Sequence, residues 1–314
     1  MLSTVASRYR KASITDSLIL LVALLVLLNQ AQTVQASPVS VVDDDRNTVT
    51  LVQPARRIIS LAPSMTELLY SLGAGNRIVG VMAHSDFPPE ASALPVVGRH
   101  DLLDMEGILA LNPDLIVAWR SGNPRASLQR LRELGLTVYI AEPESLESVA
   151  SHLQRLGVLT GQQELGNMLA RTFLDQLENL DQTHADRTPV SVFYQVWHAP
   201  MISVGGAELI NDMISLCGGH NIFADLRVGP RVDAESVINS NPDVIIASGS
   251  DSAYPQWLND WRRWPDINAV ANNHLYAIPP DLVQRHSLRA LQGVRQMCEH
   301  IDRARTVDSG RRLR

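Results

Sequence analysis

The sequence predicts an α/β protein: two similar lobes with parallel sheets, joined by one long rigid helix. Three observations predict it. First, the stretch Asp104-Met-Glu-Gly-Ile-Leu-Ala-Leu-Asn-Pro-Asp-Leu-Ile-Val-Ala118 recurs without a gap as Asp233-Ala-Glu-Ser-Val-Ile-Asn-Ser-Asn-Pro-Asp-Val-Ile-Ile-Ala247, at a constant offset of 129 residues. A duplication at that spacing implies two similar lobes rather than a short-period solenoid. Second, helical patterns alternate with short apolar runs that lack polar alternation, the pattern of parallel strands buried on both faces. Third, the stretch between the copies, from Gln162 to about His184, has no proline and no glycine after Gly166. Leu165, Met168, Leu169, Phe173, Leu177 and Leu180 recur there near helical spacing, predicting one helix of about six turns, roughly 30 Å long.

Each copy of the repeat reads as a short helix feeding a buried strand. Asp104 and Asp233 are N-cap candidates, with side-chain oxygens for unpaired backbone N–H groups. Glu106 and Glu235 fall in the first turn, where the helix dipole favours an anion. Asn-Pro ends each helix, because the residue before proline is pushed out of the right-handed helical region.

The N-terminus reads as a targeting segment. Arg8, Arg10 and Lys11 form a basic region, Leu18–Leu28 an apolar core too short to span a membrane, and Val34-Gln-Ala36 a small-residue cleavage site. Residues 1–36 are therefore expected to be a cleaved signal peptide. With no cysteine beside the site, a lipid anchor is not expected, and the product is expected to be a soluble periplasmic protein. The remaining boundaries are 37–160 for the N-terminal lobe, 161–185 for the interlobe helix and 186–314 for the C-terminal lobe. Cys217 and Cys298 are the only cysteines. In an oxidising compartment they are expected to pair as a disulfide, the alternative being two buried free thiols.

Along the first lobe, Val39 to Val52 reads as a β-hairpin around Asp43–Asn47, and Arg57–Ala62 as a strand. Ser64 then caps a helix over Met65–Leu72, with Glu67 completing a capping box. Arg77–Met82 is the next strand and His84–Pro89 a loop. Beyond the first repeat come the loop Trp119–Pro124, the helix Arg125–Leu134, the strand Leu136–Ile140 and the helix Leu146–Leu156. In the second lobe Val190–Val196 is a strand, Trp197–Pro200 a loop, and Ala207–Leu216 a helix ended by Gly218-Gly219. The second repeat follows, then the loop Ser248–Ser252. Trp257, Trp261 and Trp264 sit near helical spacing and read as core packing. Leu275–Ile278 is the last strand, Pro279–Arg285 a loop, and Ser287–Ala304 the closing helix.

Composition narrows the function. The chain of 314 residues is 45% hydrophobic and 19% charged, with a net charge of −6, which argues against a nucleic-acid partner. There is no G-x-S-x-G, P-loop, G-x-G-x-x-G or H-E-x-x-H motif. The nine histidines show no ligand spacing, so neither a dedicated metal site nor an intrinsic cofactor is expected. An enzyme on this scaffold, such as a metal-cluster oxidoreductase, would need cysteine or clustered histidine and acidic ligands. A binding scaffold is the reading that remains.

Four segments carry a family resemblance. They are Ile58-Ile-Ser-Leu-Ala-Pro-Ser-Met-Thr-Glu67, Gly80-Val-Met-Ala-His-Ser-Asp-Phe-Pro-Pro89, Glu106 through Asn-Pro-Asp-Leu-Ile-Val-Ala-Trp-Arg120, and Leu216-Cys-Gly-Gly-His-Asn-Ile-Phe223. The chain resembles the periplasmic cobalamin-binding proteins of ABC importers (the BtuF type). These belong to the helical-backbone class of substrate-binding proteins, which also serves haem and ferric siderophores. The resemblance implies two Rossmann-like lobes bridged by the long helix with a ligand cleft between them, capture of cobalamin in that cleft and delivery to the permease in the inner membrane, with haem or a ferric siderophore as alternative cargo. It implies no catalysis and a monomer. Glu106 and Glu235 then match the acidic residues that dock onto permease arginines, besides their dipole role. Trp119 matches a cleft tryptophan. Asp281-Leu282-Val283-Gln284-Arg285 matches a cleft segment, with Leu282 and Val283 where the family has an aromatic pair. His84 stands where a tyrosine is expected and His100 where a tryptophan is. Either is an ordinary polar loop residue, or a neutral imidazole able to coordinate cobalt or haem iron. Arg99, Arg120 and Arg285 are the cations that a siderophore would use.

Overall fold

A computed structural model describes residues 37–249 and 255–311. The targeting segment 1–36, most of the loop after Gly249 and the extreme C-terminus lie outside the described residues. The strands are β1 (Val39–Val42), β2 (Thr48–Leu51), β3 (Ile58–Ser60), β4 (Ile78–Val81), β5 (Gly98–Arg99), β6 (Leu102–Leu103), β7 (Leu115–Trp119), β8 (Val138–Ala141), β9 (Val190–His198), β10 (Met201–Ser203), β11 (Gly219–Asn221), β12 (Val244–Ala247) and β13 (Leu275–Ala277). The α-helices are α1 (Pro63–Ser71), α2 (Met105–Ala110), α3 (Arg125–Glu133), α4 (Leu146–Leu159), α5 (Gln163–His184), α6 (Leu209–Leu216), α7 (Ala234–Ser240), α8 (Asn268–Ala271), α9 (Pro280–Val283) and α10 (Ala290–Arg311).

Two sheets make the two lobes. In the first, the order β4-β3-β7-β8 is parallel throughout. In the second the path is β10-β9-β12-β13, with β11 also on β9; every pairing is parallel except that of β10. The apolar runs predicted as buried strands are so: Leu115–Ala118 and Val244–Ala247 are fully covered. The leader hairpin is formed, with Val39 opposite Leu51 and Val42 opposite Thr48. Asp43 closes its turn by accepting the Asn47 N–H at 2.8 Å.

The duplication has a structural explanation. Asp104 and Asp233 cap their helices by accepting the backbone N–H of Gly107 (2.9 Å) and Ser236 (2.7 Å). Asn112 and Asn241, each before proline, turn the chain with φ of 45° and 44°. Asparagine tolerates this left-handed region better than most residues. The aspartate after each proline then reaches the start of the neighbouring strand. Asp114 accepts from the N–H groups of Arg56 (2.8 Å) and Arg57 (3.0 Å), and Asp243 from that of Ser191 (3.1 Å). Each unit thus sets the register of a central strand against its partner.

Between the lobes runs α5, 22 residues long, which at 1.5 Å per residue is about 33 Å. Its buried stripe is Gly166, Ala170, Phe173 and Leu177, while Met168 is 51% exposed. The large-residue periodicity passes over the small members of this stripe. Gly157 and Gly166 let α4 and α5 approach backbone to backbone: a Cβ on Gly166 would lie 2.5 Å from the Leu153 carbonyl oxygen. Cys217 and Cys298 are joined as a disulfide, tying the end of α6 to α10.

Several local expectations are corrected. The first helix starts at Pro63 with Ala62 at its N-cap and no side-chain cap. Proline at the first helical position needs no donor there. Glu67, expected in a capping box, is instead buried and bonded to the other lobe. Trp197–Pro200 is not a simple loop, because β9 runs on to His198 and folds back as β10 through a cis Ala199–Pro200 bond. Gln256–Arg263 is a 3₁₀ helix, within which Trp261 is buried and donates its indole N–H to Gln195 Oε1 at 2.8 Å. The Pro279–Arg285 loop contains the short helix α9.

Candidate functional site

Parallel α/β sheets present their ligand sites at the carboxyl ends of the strands. Here β7 ends at Trp119 and β12 is followed by Ser248, positions that correspond under the 129-residue offset. A cavity of about 840 Å³ lies at this level. Its first-lobe wall is Trp119, Ser121 and Glu142–Glu144; its second-lobe wall is Ala207–Ile210, Val228, Val283, Gln284 and His286. The volume is near the upper end of the roughly 300–1,000 Å³ usual for small-molecule pockets.

The local chain holds Trp119 firmly. Its backbone N–H donates to Asn123 Oδ1 at 2.7 Å, its carbonyl accepts from the Asn123 N–H at 3.0 Å, and the Asn123 amide donates to the Leu61 carbonyl at 2.9 Å. Gly122 lies under the ring: an added Cβ would sit 1.9 Å from Trp119 Cε3. The indole N–H of Trp119 is buried and has no protein partner. Glu142 is oriented by the Ser121 N–H at 2.8 Å, and Glu208 by the N–H groups of Gly205 (2.6 Å) and Gly229 (2.9 Å). Gln284 donates to Ser248 Oγ at 3.0 Å.

Arg285 does not face this cavity. It belongs to an ion cluster that links the lobes, centred on Glu67 of α1, which is 3% exposed. Glu67 accepts from Arg285 (2.9 Å), Arg289 (3.1 Å) and Ser287 Oγ (2.6 Å). Arg285 also contacts Asp86 (2.8 Å) and Asp281 (2.9 Å), and donates to the His84 carbonyl at 3.2 Å. Burial opposes ionisation of Asp86, but the hydrogen bond and charge of Arg285, with the charge of Arg289, together outweigh it and hold the carboxyl below its ordinary value. Arg289 lies over the Phe87 ring, 4.1 Å from its centroid.

The structure thus brings Trp119, Val283 and Gln284 into one cavity wall. Leu282 is buried beneath it, and Asp281 is paired with Arg285. His84 and His100 are exposed, on loops that do not line this cavity. Arg99 is paired with Asp101, and Arg120 lies within ion-pair reach of Asp45, Glu142 and Glu144. Sequence reasoning missed Glu67, whose spacing from Ser64 mimics a capping box, and His286, which follows the segment singled out. Glu106 and Glu235 are both exposed and make no ion pair among the described residues. Among these residues no helix is long and apolar enough to cross a membrane, and no cluster of three or more His, Cys, Asp or Glu is arranged to hold a metal ion.

Two lobes on one long helix, with a cavity at the strand ends, define a substrate-binding protein of the transport type. Residues 58–282 match the periplasmic binding protein family, and the chain belongs to that family of non-enzymatic transport components. The vitamin B12-binding protein of Vibrio cholerae serotype O1 is 38% identical over 250 residues, covering 79% of this chain and 90% of the relative. That of Yersinia pestis is 36% identical over 250 residues, covering 79% of this chain and 87% of the relative. The crystal structure of the periplasmic vitamin B12 binding protein BtuF of Vibrio cholerae superposes with a TM-score of 0.73 at 37% identity, covering 80% of this chain and 98% of that one. The periplasmic heme-binding protein RhuT from Roseiflexus, at 24% identity and a TM-score of 0.71 over 80% of this chain and 99% of that one, shares the fold.

Proposed function

We propose that this chain captures vitamin B12 in the periplasm and delivers it to the permease of an ABC importer. The observation that carries this reading is the 38% identity to a vitamin B12-binding protein over 79% of the chain. The chemistry of the cavity supports it. Trp119, Leu209, Ile210, Val228 and Val283 offer apolar wall, and the exposed Gln284 amide offers a polar contact for an amide-fringed macrocycle. Glu208 in the same walls, held by backbone N–H groups and facing no cation among the described residues, disfavours an anionic ferric siderophore or the propionates of haem. Arg99, Arg120 and Arg285, the cations such cargo would use, have acidic partners.

In this reading Trp119, Val283 and Gln284 contact the ligand, Asp281, Leu282 and Arg285 shape the wall behind them, and His84 and His100 contribute from exposed loops. Glu106 and Glu235 dock onto the permease, one from each lobe. Residues 1–36 are the export signal, removed after Ala36, and the mature protein works as a monomer. The test is calorimetric and visible-spectrum titration of residues 37–314 with cyanocobalamin and, separately, haemin. We expect one-to-one cobalamin binding, weakened about thirtyfold by Trp119→Ala, the loss typical of a central aromatic contact. Absence of cobalamin binding together with a Soret shift on adding haemin would overturn the choice of cargo.

A further inference from the structure

The segment Gln284–Ser287 alternates between two environments. Arg285 and Ser287 turn to Glu67 of the other lobe, at 2.9 and 2.6 Å. Gln284 and His286 turn the opposite way, into the cavity that contains Trp119. Gln284 is engaged by Ser248. His286 is half-buried and makes no hydrogen bond or ion pair among the described residues. It is therefore an unengaged imidazole on a backbone fixed at both neighbouring residues. Burial pushes its pKa down to about 4, so at neutral pH its ring carries a free nitrogen lone pair. Neutral imidazole is the form that ligates metals.

We infer that His286 supplies an axial nitrogen to the metal centre of the corrinoid held in the cleft, selecting forms whose axial position is exchangeable. This inference rests on the corrinoid reading of the site. The step is a ligand substitution: the bond from cobalt(III) to a coordinated water breaks, a cobalt–nitrogen bond to His286 forms, and the water leaves. No electron moves, and the neutral imidazole releases no proton. A pre-positioned ligand saves the entropy of recruiting one, so the exchangeable form is held more tightly than one whose position is blocked.

The test compares aquocobalamin, whose axial water exchanges, with cyanocobalamin, whose cyanide does not. Wild-type protein should shift the visible spectrum of aquocobalamin, leave that of cyanocobalamin unchanged, and bind the former at least about tenfold more tightly. With His286→Ala, and with the bulkier His286→Gln, aquocobalamin at saturation should keep the spectrum of the free pigment, and the preference between the two forms should vanish. The wild-type comparison needs no variant to fold. If both corrinoids bind with equal affinity and unshifted spectra, or if the shift survives in both variants, the inference fails and the cargo stands. If neither corrinoid binds, the inference and the proposed cargo fall together.

Discussion

Replacing Glu67 with Gln tests the ion cluster that links the lobes. The Glu67 carboxylate is 3% exposed; it faces two guanidinium groups whose side chains are only 12% and 20% exposed, besides the Ser287 hydroxyl. Removing one partner from a buried ion pair costs about 3–5 kcal/mol, because the charge left behind has lost its compensation. Arg285 keeps Asp86 and Asp281 in the variant, and Arg289 keeps the Phe87 ring, so the expected loss is near the lower end, about 3 kcal/mol. A residue that only capped a helix would cost about 1 kcal/mol. The assay is urea unfolding followed by tryptophan fluorescence, on Glu67→Gln, Arg289→Met and the double variant. The cluster predicts a double variant that is less destabilised than the two single losses together, with a coupling of about 2 kcal/mol. A loss under about 1 kcal/mol for Glu67→Gln, or strict additivity, would refute this account of how the lobes are held.

Three further outcomes can be checked. Cys217 and Cys298 close a loop of 81 residues, so Cys217→Ala/Cys298→Ala should lower stability by about 4 kcal/mol on the chain-entropy estimate, read as a fall in the urea midpoint. His152 is fully buried against Tyr139, Asp44 and Arg155, and its pKa is pushed down from 6.5 to about 3 by burial, with Arg155 adding to the effect. It is neutral in the fold but protonates in the unfolded chain below pH 6.5, so stability is full above 6.5 and falls as the pH drops toward 3. The loss from this residue is about 2 kcal/mol by pH 5, and His286 and His300, each pushed down to about 4, act in the same direction. Unfolding curves at pH 7 and pH 5 should differ accordingly, and by less in His152→Gln. Finally, Glu106→Ala/Glu235→Ala should leave ligand titration and melting temperature unchanged while abolishing co-purification with the permease. Intact transport in cells carrying the pair would exclude the docking role.

The sequence by itself determined the architecture, because that architecture is written in periodicity and repetition. The two copies of Asp-x-Glu and Asn-Pro-Asp mark a capped helix and a buried strand in each lobe, and the proline-free stretch before residue 185 marks the linking helix. Short-range chemistry suffices for these: Asp104 bonds Gly107 three residues on, and Asn112 turns because proline follows it. The place of Trp119 in a cavity wall was legible too, since it ends a buried strand of an α/β sheet, at the carboxyl-end level where such folds open their pockets. What only the tertiary structure decided are pairings between residues far apart in the chain. Glu67 meets Arg285, Ser287 and Arg289 across more than 200 positions, and local spacing instead pointed it at a helix cap. Arg285 is drawn to that same carboxylate and does not line the cavity that contains Trp119. His286, the next residue, lines that cavity instead: neighbouring side chains on an irregular segment point to opposite sides, and which of them meets the cavity depends on where the other lobe puts its charge.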